Sequence, residues 1–134
     1  NLEMKSDKTL IVDDGKREFF LNGRNSKLKT ENLEIIAETI EGKYDIINKK
    51  NEITNLILID KKLVSILDKS LDMYAQKAIY SKKNNLIELF DNVKIIRNNE
   101  TAIGDYAKIN TVDNSYKITS KDSKRVKLII ENNE

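Results

Sequence analysis

Short apolar segments recur along the whole chain, each rich in β-branched and aromatic residues, at intervals of about 8 to 14 residues. Clusters of Asn, Asp, Gly and Lys separate one segment from the next, and such clusters favour turns. The predicted strands cover residues 9–12, 17–21, 26–29, 33–40, 44–48, 52–59, 63–67, 71–80, 86–90, 93–97, 101–110, 116–119 and 125–130. The pattern therefore predicts an all-β protein.

Two segments also match the spacing of an amphipathic helix. Leu33, Ile36, Ala37 and Ile40 fall at i, i+3, i+4 and i+7, and residues 63–74 carry a comparable apolar stripe. The local pattern alone leaves both a helix and a strand open at these two places.

Internal similarity favours strands, because a repeated unit keeps one local structure wherever it recurs. Residues 74–80 (Tyr-Ala-Gln-Lys-Ala-Ile-Tyr) align with residues 103–109 (Ile-Gly-Asp-Tyr-Ala-Lys-Ile), and more loosely with residues 36–40 (Ile-Ala-Glu-Thr-Ile). Gly104 and Asp105 lie within the last copy, which suits a strand better than the interior of a helix. All three copies are therefore predicted to be strands.

The composition weighs against several classes of function. The chain has 134 residues, the size of one domain, and we expect a single domain over 1–134 with a disordered tail at 131–134. It has no Cys and no His, so it lacks thiolate ligands and the commonest general base. Its net charge of +2 is spread along the length, without a basic block for nucleic acid. We expect no enzyme activity, no cofactor, no metal site and no nucleic-acid binding.

Neither a membrane span nor a targeting segment is visible in the sequence. No run approaches the roughly 18 apolar residues that a membrane-spanning helix needs. No charged region, apolar region and cleavage site opens the chain at Asn1. If the protein is exported, its signal peptide is expected to have been removed.

Six short motifs follow one another along the chain. They are Leu-Glu-Met-Lys-Ser-Asp at 2–7, Phe-Leu-Asn-Gly-Arg-Asn at 20–25, Ala-Gln-Lys-Ala-Ile-Tyr at 75–80, Leu-Phe-Asp-Asn-Val at 89–93, Ile-Gly-Asp at 103–105 and Ser-Lys-Arg-Val at 123–126. In this order the chain resembles the OstA-like family of periplasmic lipopolysaccharide-transport proteins, the LptA family, over nearly its whole length. Asp91 replaces the family's usual Gly, Arg24 is inserted in the first Gly-Asn turn, and residues 44–67 match only in hydrophobic pattern.

The resemblance implies an open, slightly twisted antiparallel β-jellyroll that carries lipopolysaccharide through the periplasm. The acyl chains of lipid A would lie in an apolar groove while sugars and phosphates remain in water. Copies would stack end to end, and with LptC-like and LptD-like proteins, into a bridge between the two membranes that spans neither. One alternative is a structural or protein-binding β module, which predicts a dry and filled interior. Another is an LptC-like transport partner without its own lipid cargo.

Alternation of side chains across each strand assigns candidate residues to these roles. The predicted groove lining is Phe20, Ile36, Tyr74, Tyr80, Ile87, Leu89, Ile95, Ile103, Ile109 and Ile118. The predicted edge residues, which would join neighbouring copies, are Leu10, Val12, Val126, Leu128 and Ile130. Lys124, Arg125 and Lys127 are hypothesised to contact lipid phosphates at the groove rim, although charge on an edge strand also discourages aggregation.

Overall fold

The computed structural model describes residues 2–121 and 126–131, and it contains ten β-strands. They are β1 (Glu3–Lys5), β2 (Thr9–Asp13), β3 (Glu18–Lys29), β4 (Leu33–Ile47), β5 (Lys50–Asp68), β6 (Asp72–Ser81), β7 (Leu86–Arg97), β8 (Glu100–Asn110), β9 (Tyr116–Thr119) and β10 (Lys127–Ile130). Within the described residues, no helix has the length and apolar character that a membrane crossing requires. The same part of the chain holds no group of three or more acidic, His or Cys side chains arranged for a metal ion.

All ten strands belong to one antiparallel sheet. Each strand from β3 to β8 pairs with the next one along the chain. The short strands β1 and β2 both pair with β3, and β9 and β10 both pair with β8. No pairing among the described strands joins the two ends of this order, so the sheet is open. The predicted all-β, open antiparallel fold is confirmed.

Every pairing between long strands is interrupted near its middle by a shift of register. The shifts lie between Asn22 and Ser26, Ile36 and Thr39, Ile59 and Val64, Tyr74 and Lys77, and Phe90 and Val93. A β-bulge bends its strand and increases the local twist. Because these bulges lie side by side on neighbouring strands, they bend the whole sheet along one line, which we call the crease.

The crease divides the sheet into two flaps. Flap A contains β1, β10 and residues 26–29, 33–37, 64–68, 72–75, 93–97 and 100–104. Flap B contains β2, β9 and residues 18–22, 39–47, 50–59, 77–81, 86–90 and 106–110. Each long strand therefore runs from a turn at the rim of one flap, across the crease, to a turn at the rim of the other.

Two of the bulges contain residues with unusual backbone conformations. In β7, Asp91 and Asn92 adopt left-handed conformations with φ of 67° and 51°, which short polar side chains tolerate better than others. In β3, Gly23 has a φ of 155°, and a Cβ there would lie 2.0 Å from Asp7 Oδ1. The hydroxyl of Ser6 donates to the carbonyl oxygen of Asn22 at 2.7 Å, so the β1–β2 connection crosses β3 at the crease.

The core lies between the two flaps as one cluster of buried apolar side chains. In flap B, Leu21, Ile40, Leu58 and Leu89 are at most 1% exposed, and the pairing registers place them in one row with Ala78 and Ala107. A second row in flap A contains Leu28, Ile35, Ile66, Met73 and Ile95. Full burial of each such side chain stabilises the fold by about 1.5–3 kcal/mol, so the two rows hold the flaps together.

The observed strands are longer and fewer than the predicted ones. Four predicted pairs of segments, 17–21 with 26–29, 33–40 with 44–48, 52–59 with 63–67, and 86–90 with 93–97, are single strands that contain a bulge. Both segments with helical spacing are strands, as the internal repeat indicates. Strand β1 was not predicted, because it has only three residues and a single apolar side chain, Met4.

Candidate functional site

The open side of the folded sheet, opposite the crease, contains a cavity of about 870 Å³ between the rims of the two flaps. Its apolar lining comes from both flaps, and it lies within the range of about 300–1,000 Å³ that is usual for small-molecule sites. We call it the trough; its main apolar residues are Leu33, Ile35 and Ile66 of flap A and Ile53, Leu56, Tyr80 and Ile87 of flap B.

The trough lies above a filled core rather than along a hollow interior. Leu89, Ile95 and Ile109, all predicted to line the groove, face inward but are at most 1% exposed. They are packed against other core side chains and do not line the trough. The trough therefore lies on the part of the inner face near the rims, and not at the level of these three side chains.

Three other predicted groove residues are half-buried on the inner face. Tyr80 and Ile87, which are paired across β6 and β7, both line the trough. Ile118 lies at the carboxyl-terminal end, where its side chain covers Gly104; a Cβ at Gly104 would lie 2.6 Å from Ile118 Cγ1. The absence of a side chain at Gly104 lets β9 of flap B pack directly against flap A.

For the four remaining residues, the groove prediction chose the wrong face of the strand. The structure places Phe20, Ile36, Tyr74 and Ile103 on the outer face, where their sequence neighbours Phe19, Leu21, Ile35, Ala37, Met73, Ala75, Ala102 and Gly104 are buried. In β6 and β8 the bulge reverses which side of the strand points inward, whereas in β5 and β7 the inward side has the same parity before and after it. Alternation counted back through the bulge from Tyr80 or Ile109 therefore gives the wrong side for Tyr74 and Ile103.

The two rims of the trough carry opposite charges. Lys49, Lys50 and Lys82 line it from flap B, whereas Glu31 and Asp68 line it from flap A. Sequence analysis missed these lysines, because they lie in turn clusters far apart in the chain. The only available signal was the abundance of Lys in those clusters, which is also typical of ordinary solvated turns.

One lysine of the flap B rim is already paired with a carboxylate. The ammonium group of Lys82 donates a hydrogen bond to Glu52, and this bond raises the pKa of Lys82 above its ordinary value. Among the described residues, no ion pair is formed by Lys49 or Lys50. The flap B rim therefore has an excess of positive charge.

A set of polar contacts joins the two flaps near the carboxyl-terminal end of the trough. Asn114 Nδ2, in the β8–β9 turn of flap B, donates to Ser70 Oγ, in the β5–β6 turn of flap A, at 2.6 Å. Arg97 Nη1 of flap A donates to the carbonyl oxygen of Asn114 at 3.2 Å. The hydroxyl of Tyr116 donates to Glu100 Oε2 at 2.8 Å, and burial together with this bond raises the pKa of Tyr116 to about 12. We call these five residues the clasp.

Both ends of the sheet expose apolar side chains that belong to the inner face. Leu10 and Val12 on β2 are opposite Leu21 and Phe19, yet they are 49% and 46% exposed. On β10, Leu128 and Ile130 continue the inner rows beside Ala102 and Glu100 and are 54% and 62% exposed. Val126, just before β10, is also exposed. The predicted edge residues therefore lie at the edges of the sheet.

The residues predicted to contact phosphate do not lie at the trough. Lys127 is exposed and pairs with Ile103, which places its side chain on the outer face of β10. Lys124 and Arg125 lie outside the described residues. The assignment of Lys127 to the groove rim was wrong, because the rim is formed by the turns of the long strands.

The fold is similar to that of LptH from Pseudomonas aeruginosa, described as the LptA homologous periplasmic component of the conserved lipopolysaccharide transport device. The TM-score is 0.79, the match covers 98% of this chain and 96% of LptH, and 15% of the aligned residues are identical. No family model matches the chain, and no curated protein matches it in sequence. The likeness confirms the predicted jellyroll of the LptA kind as a fold.

Proposed function

We propose that this protein is a periplasmic carrier that shelters the acyl chains of lipopolysaccharide in the trough during transport from the inner to the outer membrane. The observation that carries the proposal is a trough of about 870 Å³ with apolar side chains between charged rims, built on a sheet with the fold of LptH. Such a site accepts hydrocarbon inside and leaves sugars and phosphates in water.

Hydrophobic burial supplies the driving force for this role. Each methylene group transferred from water into an apolar site contributes about 0.8 kcal/mol, without any directed hydrogen bond. A carrier of this kind needs no reacting group. The absence of His and Cys from the chain is therefore compatible with the proposal.

The volume of the trough holds only part of a lipid with several acyl chains, so the flaps must separate further to accept a whole one. The clasp joins the flaps through three hydrogen bonds, from Asn114 to Ser70, from Arg97 to Asn114 and from Tyr116 to Glu100. The neutral bond contributes about 0.5–1.5 kcal/mol and each bond to a charged group about 1.5–3 kcal/mol, so the three together match the burial of roughly four to nine methylene groups. Lipid entry can therefore offset the loss of the clasp.

The open edges support assembly of copies end to end. An edge strand offers unpaired backbone groups to another strand, and here each edge also exposes inner-face side chains such as Leu10 and Leu128. Pairing of β2 of one copy with β10 of the next would bury these apolar side chains on both strands. The same edges would accept LptC-like and LptD-like transport proteins at the ends of the bridge.

A second candidate function is a structural or protein-binding β module without lipid cargo. The filled core favours it, because Leu89, Ile95 and Ile109 leave no space between the flaps at their level. This candidate predicts that the trough does not bind lipid at all.

A charge placed in the trough tests the proposal. Ile53 lines the trough, whereas Ile59 lies on the outer face of the same strand and is 44% exposed. Ile53→Glu should weaken binding of fluorescent lipopolysaccharide at least tenfold, since a carboxylate in an apolar site opposes hydrocarbon, while Ile59→Glu should leave it unchanged. Equal binding by both folded variants, or no binding by the wild-type protein, would favour the β module.

A further inference from the structure

We infer that the flap B rim of the trough, formed by Lys49, Lys50 and Lys82, is the binding site for a phosphate group of the sheltered lipid. The inference rests on the proposed function and adds to it the position of the anionic headgroup. It replaces Lys127, which lies on the outer face, with residues that the sequence alone did not single out.

The first argument is the position of the lysines relative to the apolar lining. Lys49, Lys50 and Lys82 line the same cavity as Ile53, Leu56 and Ile87. An amphiphile whose chains contact this apolar surface has its polar end at the rim. A compact ammonium group on a flexible stem can follow a phosphate as the lipid settles.

The second argument is the asymmetry of charge across the opening. The opposite rim carries Glu31 and Asp68, which repel an anion, so a phosphate is directed towards flap B. A neutral lipid would gain no electrostatic binding energy from this arrangement of charges. The rims therefore favour a lipid with an anionic headgroup over an uncharged one, and favour one orientation of it.

The third argument is that the backbone holds two of the lysines at the rim, while their ammonium groups form no ion pair with any described residue and can bind an anion. Asn48 and Lys49 form the β4–β5 turn with φ of 53° and 64°, a tight hairpin that keeps Lys49 and Lys50 at the rim. Both side chains are exposed, and within the described residues neither forms an ion pair. Lys82 adds a third ammonium group to this rim and neutralises Glu52, the one carboxylate in the described part of the chain that lines the trough from flap B.

The chain offers a matched control for a test. Lys61 and Lys62 are a second pair of adjacent, exposed lysines in β5, and they do not line the trough. The double variants Lys49→Gln with Lys50→Gln, and Lys61→Gln with Lys62→Gln, remove the same charge at different places. Binding of bisphosphorylated lipid A, of the same lipid after enzymatic dephosphorylation, and of inorganic phosphate is measured for the wild-type protein and both variants.

The inference predicts that the rim variant binds bisphosphorylated lipid A about fivefold or more weakly than the wild-type protein, since each ion pair is worth only a modest factor. Its affinity for the dephosphorylated lipid should stay unchanged, and the control variant should match the wild-type protein with both lipids. The difference should diminish as salt is raised.

Three outcomes would overturn the inference while leaving the carrier proposal intact. They are equal binding of phosphorylated lipid by the rim variant and the wild-type protein, an equal loss in the control variant, and an equal loss with the dephosphorylated lipid. Inorganic phosphate bound as tightly as the lipid would identify a free-phosphate site instead of a headgroup site. If the wild-type protein binds neither lipid, the proposed function itself fails.

Discussion

Asn114 Nδ2 donates a hydrogen bond to Ser70 Oγ at 2.6 Å, and this contact joins turns of opposite flaps. It lies at the carboxyl-terminal end of the trough, where Arg97 also reaches the carbonyl oxygen of Asn114. The contact therefore gives the two flaps a defined separation at this end. We expect the opening to widen at this end when this contact is broken.

A covalent link in place of this hydrogen bond should prevent the flaps from separating. Because the chain has no Cys, Ser70→Cys with Asn114→Cys introduces the only thiols, which a short bifunctional reagent can join. The linked protein should lose most of its uptake of lipopolysaccharide in a fluorescence assay. A link between Asn84→Cys and Val112→Cys, both on flap B, is the control; the same uptake in both linked proteins would show that the flaps need not move.

The close contact between Gly42 and Phe19 predicts a strong coupling between these positions. A Cβ at Gly42 would lie 2.1 Å from Phe19 Cζ, so Gly42→Ala forces the ring out of its place. We expect a loss of about 1–3 kcal/mol in the free energy of unfolding, as for other overpacked cores. In a Phe19→Leu background the same substitution should be less costly. Chemical unfolding of the four proteins measures this coupling, and strictly additive effects would refute the contact.

Tyr116 should make stability depend on pH in the alkaline range. Burial and the hydrogen bond to Glu100 raise the pKa of Tyr116 from 10.0 to about 12, so the folded state favours the neutral phenol. Its contribution is complete below pH 10 and is lost as the pH rises through about 12. Urea unfolding should show a steeper alkaline loss for the wild-type protein than for Tyr116→Phe. Parallel curves for the two proteins would contradict the assigned environment.

The edges should control assembly of the protein into longer species. Leu128 is on the inner face of β10 and 54% exposed, whereas its neighbour Lys127 is on the outer face. Leu128→Lys places a charge where a second copy would pack, and it should shift the protein to the monomer in sedimentation at high concentration. Lys127→Glu should retain assembly. A wild-type protein that is monomeric at every concentration would reject this use of the edge.

The strands and turns of this fold could be predicted from the local pattern of apolar and polar residues. The face of each strand that points to the core could not be predicted reliably in this way. Period-two alternation and turn clusters identified nine of the ten strands, β1 excepted. In β7 the bulge at Asp91 and Asn92 leaves the alternation unchanged, and Ile87, Leu89 and Ile95 all received the correct face. In β6 the prediction continued the alternation through the bulge after Tyr74, and it therefore placed Tyr74 on the wrong face of the strand.

The trough itself could not be predicted from sequence, for a different physical reason. It is formed by turns that are distant in the chain, such as residues 30–32 and 48–51, and that meet only because the crease folds the sheet. The bulges that form the crease have no common residue type: Asp91 and Asn92 mark one, whereas the bulge after Tyr74 has ordinary strand residues on both sides. Tertiary packing of the flaps therefore determines which turn residues become a site.

Site-specific photo-crosslinking tests the central claim most directly, namely that lipid occupies the trough and not the outer face. A photoreactive amino acid at Tyr80 or Ile87, which line the trough, should capture labelled lipopolysaccharide. The same amino acid at Ile36 or Ile103, on the outer face, should capture little or none. Equal capture at the inner and outer positions, or capture at the outer ones alone, would contradict the account.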